Sequence, residues 1–284
     1  MTDKIDLHTH STASDGTFTP SELVKAAYEA GLSAVALTDH DTTDGLSEFH
    51  AACAEYGIEG ISGVEISARY HKQMHILGLF VDENNAFLAE KLSVLKNARE
   101  IRNRAVLELL QRNGMDITER DIISAGEDMR SKGRAHIARA MVNKGYVSSI
   151  DEAFAKYLKK GKSCYAERVA YSPEESIKMI KSAGGTAILA HPVFITEDYG
   201  ELYALLSELK EYGLDGAECM YNSYTREFSE MCREICKKTG LVESGGSDFH
   251  GANKPGISLG AVSTGYVPYR TLLNIKLQRG RRTP

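Results

Sequence analysis

The sequence predicts an α/β protein, built as a seven-stranded barrel that carries a helical insertion. Short apolar or β-branched runs alternate with amphipathic helical stretches, which is typical of parallel strands joined by crossover helices. The 284 residues, 42% of them hydrophobic and 26% charged, are enough for one globular domain with an insertion. No apolar run reaches the roughly 18 to 20 residues that cross a bilayer, and no export signal is evident, so we expect a cytoplasmic protein.

Seven short segments carry the strand pattern. They are Ile5–His8, Ala34–Thr38, Glu59–Glu65, His75–Val81, Thr186–Ala190, Gly216–Met220 and Leu241–Gly245. The first helix between them has defined ends, with Thr19 as N-cap, Pro20 at the first position, Glu22 three residues after the cap and Gly31 at the stop. Strands and helices that alternate in this way favour a barrel.

The alternation lapses for about 90 residues after the fourth strand, where the periodicity is helical throughout. The helical segments are Phe87–Asn113, Glu119–Ala125, Arg134–Asn143 and Ile150–Leu158. A further helix begins at Ser172-Pro173 and ends at Gly184-Gly185, directly before the next strand. The sequence therefore predicts a barrel of residues 1–82 and 165–284, with residues 83–164 as a helical insertion.

The charge and cysteine content exclude several classes of protein. A formal charge of −5 gives no electrostatic basis for coating duplex DNA or an anionic membrane. The segment from Lys96 to Gly145 differs, because its 11 basic and 7 acidic residues leave +4 there and −9 elsewhere, so it can meet an anionic ligand. The five cysteines form no CxxC pair and are expected to be buried thiols; Cys232 and Cys236 could share a metal, but plain packing is favoured.

Histidines and carboxylates gather at the predicted strand ends, which converge on one mouth in an α/β barrel. His8 and His10 are spaced i and i+2, so on an extended segment both imidazoles point the same way and can bind one ion. The other groups are Asp15, Thr38-Asp39-His40-Asp41, Gly63-Val64-Glu65, His75, Ala190-His191-Pro192 and Gly246-Ser247-Asp248-Phe249-His250. A lone histidine at a strand end is usually structural, but so many buried ionisable groups are costly unless cations compensate them. The pattern predicts a multinuclear metal site.

These motifs together resemble the PHP (polymerase and histidinol phosphatase) family over nearly the whole chain. Three further segments resemble its TrpH-like branch of stand-alone phosphoesterases, namely Ser11-Thr12-Ala13-Ser14-Asp15-Gly16, Thr42-Thr43-Asp44-Gly45 and Gly133-Arg134-Ala135-His136. The resemblance implies a distorted seven-stranded (β/α) barrel. It also implies release of phosphate from nucleoside 3′,5′-bisphosphates, and trimming of short RNA from the 5′ end.

The resemblance further implies three metal positions. The first takes His8, His10, Glu65 and Asp248; the second takes Glu65 as a bridge with His75 and His191; the third takes Asp15, His40 and His250. Asp15 stands where some relatives carry histidine, and a carboxylate is a harder ligand that favours Mn²⁺ over Zn²⁺. We therefore expect two to three divalent ions, Mn²⁺ before Zn²⁺, Fe²⁺ or Mg²⁺.

Such ions lower the pKa of a shared water, so that a metal-bound hydroxide can attack phosphorus near neutral pH. The leaving alkoxide needs a proton or a cation from His191, His250 or Asp248, and the sequence does not choose among them. A second phosphate would be held where Arg134 and His136 begin a helix, although a solvated basic helix start is the alternative. Arg99 and Arg102 are weaker candidates, since a long charged helix can equally present them to solvent.

The leading hypothesis is thus a metal-dependent phosphoesterase that acts on a small phosphorylated substrate, a nucleotide or short RNA. Histidinol-phosphate or cyclic sugar-phosphate phosphoesterase is the enzymatic alternative, and a non-catalytic metal-binding scaffold is the alternative of another class. A second phosphate needs a second cationic anchor, so the Gly133-Arg134-Ala135-His136 segment favours a bisphosphate. The intact ligand set argues against a scaffold. No duplex DNA, membrane or obligate protein partner is inferred.

Overall fold

The computed structural model describes residues 3–123, 129 and 132–281. It divides into two compact units, residues 1–91 with 171–284 and residues 92–170. The predicted insertion, residues 83–164, overlaps the second unit. Within the described part of the chain, no helix is long and apolar enough to cross a membrane.

The first unit is built on a sheet with the strand order β7-β6-β5-β4-β3-β2-β1-β9-β8. The strands are β1 (Lys4–Asp6), β2 (Ala34–Leu37), β3 (Glu59–Ala68), β4 (Met74–Leu79), β5 (Thr186–Leu189), β6 (Gly216–Met220), β7 (Val242–Gly245), β8 (Ala261–Val262) and β9 (Gly265–Pro268). All seven predicted strands are present. The hairpin β8–β9 was not predicted, because its strands are short and contain glycine and proline, which are typical of turns.

Among the seven predicted strands, one runs antiparallel to its neighbours. Strands β1, β2 and β3 are parallel, as are β5, β6 and β7, but β4 is antiparallel to both β3 and β5. The prediction of parallel strands is therefore wrong for β4. The reason is the connection from Ala68 to Met74, which is far shorter than the dozen or more residues of a parallel crossover.

The sheet curls so that its first and seventh strands meet beyond their carboxyl ends. A parallel bridge joins Thr9 to Phe249. The backbone N–H of His10 donates to the carbonyl of Phe249 at 2.9 Å, and that of Asp248 donates to the carbonyl of His8 at 2.9 Å. Two ligand-bearing segments that lie far apart in sequence are thereby held side by side.

The helices of the first unit cover this sheet. They are α1 (Pro20–Glu29), α2 (Leu46–Tyr56), α6 (Pro173–Ser182), α7 (Tyr199–Glu211), α8 (Arg226–Thr239) and α9 (Tyr269–Gly280). The predicted ends of α1 are confirmed: Thr19 and Glu22 form a reciprocal capping box, and Gly31 follows the helix with φ of 73°. A buried apolar core that includes Ile5, Leu77 and Ile188 supports the sheet from within.

The remaining helices are α3 (Ala86–Arg112), α4 (Arg134–Asn143) and α5 (Ile150–Ala153). The bounds of α4 match the prediction, whereas the predicted helix Ile150–Leu158 is divided, because a π-helical turn, Phe154–Leu158, follows α5. Of the predicted Glu119–Ala125, the structure has a 3-10 turn over Glu119–Asp121, and residues 124 and 125 lie outside the described residues. Residues 92–170 have an apolar core of their own, which includes Leu110, Ile137 and Met141.

Candidate metal centre

His8 and His10 lie on the extended segment directly after β1, and both side chains are fully buried. Their Nε2 atoms are 3.2 Å apart. Thr9, between them, points the other way and donates its hydroxyl to the carbonyl of Ala36 at 2.6 Å. The alternation of an extended chain thus directs both imidazoles to one point, as the i, i+2 spacing predicts.

Glu65 lies at the middle of the cluster, and its two carboxylate oxygens face different partners. Oε2 is 3.3 Å from His8 Nε2, 3.1 Å from His10 Nε2 and 2.9 Å from His40 Nδ1. Oε1 is 2.8 Å from His75 Nδ1 and 3.0 Å from His191 Nε2. This division is the geometry that a carboxylate bridging two ions requires.

His75 lies at the beginning of a strand. The other ligands, apart from Glu65, lie on segments that follow the ends of strands. The antiparallel direction of β4 accounts for this, since His75 pairs with Ser67 at the carboxyl end of β3. The sequence predicted that β3 ends at Glu65, but the strand continues to Ala68, so Glu65 lies within it.

A third group of side chains surrounds Asp15. Its Oδ1 is 3.2 Å from His250 Nε2 and 3.8 Å from His10 Nδ1, and its Oδ2 is 3.8 Å from His40 Nε2. His250 Nδ1 lies 2.9 Å from the carbonyl of Asp248, to which it can donate, so that Nε2 is left to face Asp15.

Four overlapping groups of side chains could each hold a metal ion, and together they contain all nine predicted ligands. The groups are His8, His10 and Asp248; His8, Glu65 and His191; His40, Glu65 and His75; and His10, Asp15, His40 and His250. Two of their buried atoms make no hydrogen bond although they lie 2.9 Å apart, namely Glu65 Oε2 and His40 Nδ1. Converging ligand atoms that are not all satisfied by hydrogen bonds fit a cation, since buried polar atoms otherwise find hydrogen-bond partners.

The carboxyl groups of the centre are held ionised. Burial opposes the charge of Glu65, but His40, His75 and His8 outweigh it and keep the pKa of the carboxyl well below its usual value. The pKa of Asp15 is also well below the usual range, because neighbouring histidines outweigh burial. The pKa of Asp248 is likewise well below that range, because His8, Lys254 and His250 outweigh burial.

The histidines of the centre differ in protonation. Burial disfavours the charge of His8, yet Glu218, Asp248 and Glu65 raise its pKa well above the usual value. Burial is the largest effect on His75 and lowers its pKa despite the nearby Glu65. In the protein without metal, the imidazole of His75 is therefore neutral at neutral pH and has a free nitrogen lone pair for a metal. The imidazole of His8 is protonated on both nitrogens and is positively charged.

Sequence reasoning missed the carboxylate that orients His8. Glu218 is buried in β6, with Oε1 2.9 Å from His8 Nδ1, and its Oε2 accepts the backbone N–H of His191 at 2.6 Å. A carboxylate at Nδ1 fixes the tautomer whose Nε2 faces the centre. The available signal was a single glutamate in the otherwise apolar strand Gly216–Met220.

Buried aspartates anchor the loops that carry the ligands, and these were also missed. Asp6 accepts from the backbone and the hydroxyl of Ser247 at 2.9 and 2.5 Å. Asp39 accepts from the backbone and hydroxyl of Ser11 at 2.8 and 2.6 Å. Two ligand positions also have strained backbone, with φ of 29° at His191 and 54° at Asp248, which such anchoring can sustain.

The predicted phosphate-binding residues lie in the second unit. Arg134 donates to the carbonyl of Leu158 at 3.1 Å, with its guanidinium over the rings of Phe154 and Tyr165. Burial lowers the pKa of Arg134, Tyr165 opposes this, and the charges of Arg168 and Arg99 lower it further. The positive charges of Arg168 and Arg99 therefore act on the guanidinium group of Arg134.

The other three predicted residues are also placed by the structure. The Nδ1 atom of His136 accepts the backbone N–H of Gly133 at 3.1 Å, which helps to cap α4. Arg99 and Arg102 are each only 6% exposed, so the alternative of a solvated face is wrong for both. Arg102 donates from Nε to Asn103 Oδ1 at 2.8 Å.

A family model described as the PHP domain matches residues 6–168, more than half of the chain. The chain belongs to the PHP family. A 5′-3′ exoribonuclease of Haemophilus influenzae is 38% identical over 253 residues, covering 88% of this chain and 91% of that protein. A 3′,5′-nucleoside bisphosphate phosphatase of Chromobacterium violaceum is 33% identical over 257 residues, covering 90% of each.

Solved structures agree with this PHP assignment. A protein of Bifidobacterium adolescentis, described as a metal-dependent phosphoesterase, matches with a TM-score of 0.84 at 31% identity. The match covers 97% of this chain and 96% of that chain. The PHP chain thus resembles its relatives over nearly its full length.

Proposed function

We propose that this PHP chain is a metal-dependent phosphoric ester hydrolase that releases the 3′-phosphate of nucleoside 3′,5′-bisphosphates and trims the 5′ ends of short RNA. The observation that carries the proposal is Glu65, whose two oxygens each face separate sets of imidazoles. The names of the similar proteins, an exoribonuclease and a bisphosphate phosphatase, support the substrate class.

Three ion positions are proposed, formed by the side chains that the resemblance implies. The first has His8, His10, Glu65 and Asp248; the second has Glu65, His75 and His191; the third has Asp15, His40 and His250. When bound there, divalent cations, Mn²⁺ before Zn²⁺, Fe²⁺ or Mg²⁺, lower the pKa of water and polarise phosphoryl oxygens. Strands β1–β7 are inferred to form the distorted seven-stranded barrel around these positions.

The side chains of the centre have distinct tasks under this proposal. Glu218 holds His8 in the tautomer that binds through Nε2, and Asp248 stays ionised because its pKa is well below the usual range. An ionised carboxylate accepts protons and cannot supply one at neutral pH. Of the three predicted catalytic residues, His191 and His250 therefore remain as groups that could protonate the leaving alkoxide, with Asp248 as a ligand.

The second phosphate is proposed to bind the guanidinium group of Arg134, with His136, Arg99 and Arg102 as further contacts. Support comes from the positive charges of Arg168 and Arg99, which act on the guanidinium group of Arg134. Guanidinium groups bind phosphate oxygens in a bidentate manner.

A substrate panel tests the proposal. The Mn²⁺-loaded protein is given a nucleoside 3′,5′-bisphosphate, a 2′,3′-cyclic phosphate, a cyclic sugar phosphate, histidinol phosphate and a short 5′-phosphorylated RNA, each with and without chelator. We expect the highest kcat/KM for the bisphosphate, with the RNA also cleaved and all turnover lost with chelator. A preference for histidinol phosphate or a cyclic ester would show that the proposed substrate class is wrong. Turnover that persists with chelator would refute metal-dependent hydrolysis.

A further inference from the structure

Lys254 lies on the loop that follows β7, and its ammonium group contacts the metal centre. Lys254 Nζ donates to Asp248 Oδ2 in a short contact and to the hydroxyl of Tyr221 at 3.2 Å. The hydroxyl of Tyr221 in turn donates to Asp248 Oδ2 at 2.6 Å. The sequence motifs include neither Lys254 nor Tyr221.

The two oxygens of Asp248 are therefore used differently. Oδ1 faces the imidazoles, 3.5 Å from His8 Nε2 and 3.3 Å from His10 Nε2. Oδ2 accepts from Lys254 and Tyr221. The ammonium group of Lys254 thus contacts the carboxylate oxygen of Asp248 that does not face the imidazoles.

Lys254 differs from the other residues around Asp248 in its access to solvent. Its side chain is 37% exposed, whereas Tyr221 is 1% exposed and His8 is fully buried. An ammonium group has three N–H donors, and contacts among the described residues account for two of them. A donor and a positive charge therefore remain for a ligand that enters from solvent.

We propose that Lys254 contacts the phosphate ester held at the metal centre and donates a hydrogen bond from its ammonium group to a phosphoryl oxygen. This inference rests on the proposed function for the identity of the ligand. Negative charge shifts to the phosphoryl and leaving oxygens during hydrolysis, so a fixed cation beside them stabilises the transition state. The contact to Asp248 keeps the flexible lysine side chain at that place.

A purely positioning role, in which Lys254 only orients Asp248, is the competing explanation. Tyr221→Phe is the matched control for it, because it removes the other donor from the same carboxylate oxygen, while the ammonium group keeps its charge and its contact to Asp248. Lys254→Met removes the charge at similar length, and Lys254→Arg restores it.

The experiment measures two quantities for the Mn²⁺-loaded wild type and these three variants. Elemental analysis gives the metal content of each chain, and calorimetric titration gives the affinity for inorganic phosphate. We expect Lys254→Met to retain the wild-type metal content and to bind phosphate about 10- to 150-fold more weakly. Lys254→Arg should recover most of the affinity, and Tyr221→Phe should lose less than Lys254→Met.

Unchanged phosphate affinity in Lys254→Met would overturn the proposal. Equal losses of metal and of phosphate affinity in Lys254→Met and Tyr221→Phe would also overturn it, in favour of positioning. The proposed function fails separately, if the wild type releases no phosphate from any ester. The phosphate titration does not depend on turnover and tests Lys254 in either case.

Discussion

The residues of the candidate metal centre are of two kinds. Some face the proposed ion positions, and others orient the residues that face them. The spacing of motifs was sufficient to predict the first kind, because strand ends converge and histidines at i and i+2 point the same way. It was insufficient for Glu218 and Tyr221, which lie far along the chain from the groups they contact, and for Lys254, which lies in the loop six residues after Asp248. Partners of this kind are determined by how β6 and the loop after β7 pack, which no local pattern encodes.

The first prediction at this scale concerns Glu218. Glu218→Gln replaces the carboxylate that fixes the His8 tautomer, so the imidazole becomes a weaker and less oriented ligand. We expect Mn²⁺ affinity to fall about 10- to 100-fold, measured by competition with a chelator of known affinity. Glu243→Gln, an exposed change on the neighbouring strand β7, is the control. Equal Mn²⁺ affinity of Glu218→Gln and wild type would show that the contact does not tune the ligand.

The second prediction concerns protons. Burial disfavours the charge of His8, but its carboxylate neighbours raise its pKa well above the usual value, so the metal-free protein holds this proton at neutral pH. Binding through Nε2 must release it, and apparent metal affinity should therefore rise with pH until the pKa of metal-free His8 is passed. Calorimetry in buffers of different ionisation enthalpy should detect proton release at pH 7. Binding enthalpies that are independent of the buffer would contradict this.

Helices and strands were predicted where local chemistry determines them. The capping box of Thr19 and Glu22 is sufficient to predict the start of α1, and the apolar runs of β2 and β5 are sufficient to predict those strands. The reversed direction of β4, the hairpin β8–β9 and the π-helical turn after α5 were not predicted. The direction of β4 follows from its short connection to β3, and the strands of the hairpin are too short to show a periodicity. The burial of a helix face depends on distant segments, as Arg99 and Arg102 illustrate.

A glycine after β7 permits the close approach of two ligand-bearing segments. A Cβ atom at Gly246 would lie 2.5 Å from the backbone nitrogen and Cβ of His8. Gly246→Ala should therefore displace the first ligand segment and destabilise the fold by about 1 to 3 kcal/mol, with a lower Tm and less bound metal. Gly280→Ala, where a Cβ would meet nothing within 4 Å, is the control. A wild-type Tm and metal content for Gly246→Ala would contradict this explanation.

The start of α4 is the element that we expect to distinguish substrates. Arg134→Ala should remove a charge-assisted contact of about 1.5 to 3 kcal/mol, or roughly 10- to 150-fold in kcat/KM for a bisphosphate. The loss should nearly vanish for a simple aryl monophosphate, which has no second phosphate, and metal content should not change. An equal loss on both substrates would place Arg134 at the reacting phosphate. No loss on either would leave it with only its structural contacts to Leu158, Phe154 and Tyr165.

At the scale of the whole molecule, the predicted metal ligands and the predicted phosphate contacts lie in different parts of the chain. The predicted ligands all lie in the unit of residues 1–91 and 171–284, and the predicted phosphate contacts lie in residues 92–170. The reaction class could be predicted from sequence, because it depends on ligand types at strand ends. The physiological substrate could not, since motif spacing does not encode the shape of a binding site.

The most direct test of the central claim joins metal content to turnover. Wild-type protein and Glu65→Gln are loaded with Mn²⁺, analysed for metal and assayed for phosphate release from a nucleoside 3′,5′-bisphosphate, with exposed Glu55→Gln as control. The account predicts at least two ions per wild-type chain, and loss of more than one ion together with activity in Glu65→Gln, because each oxygen of Glu65 serves a different position. Full metal content in Glu65→Gln, or phosphate release by metal-free wild type, would contradict it.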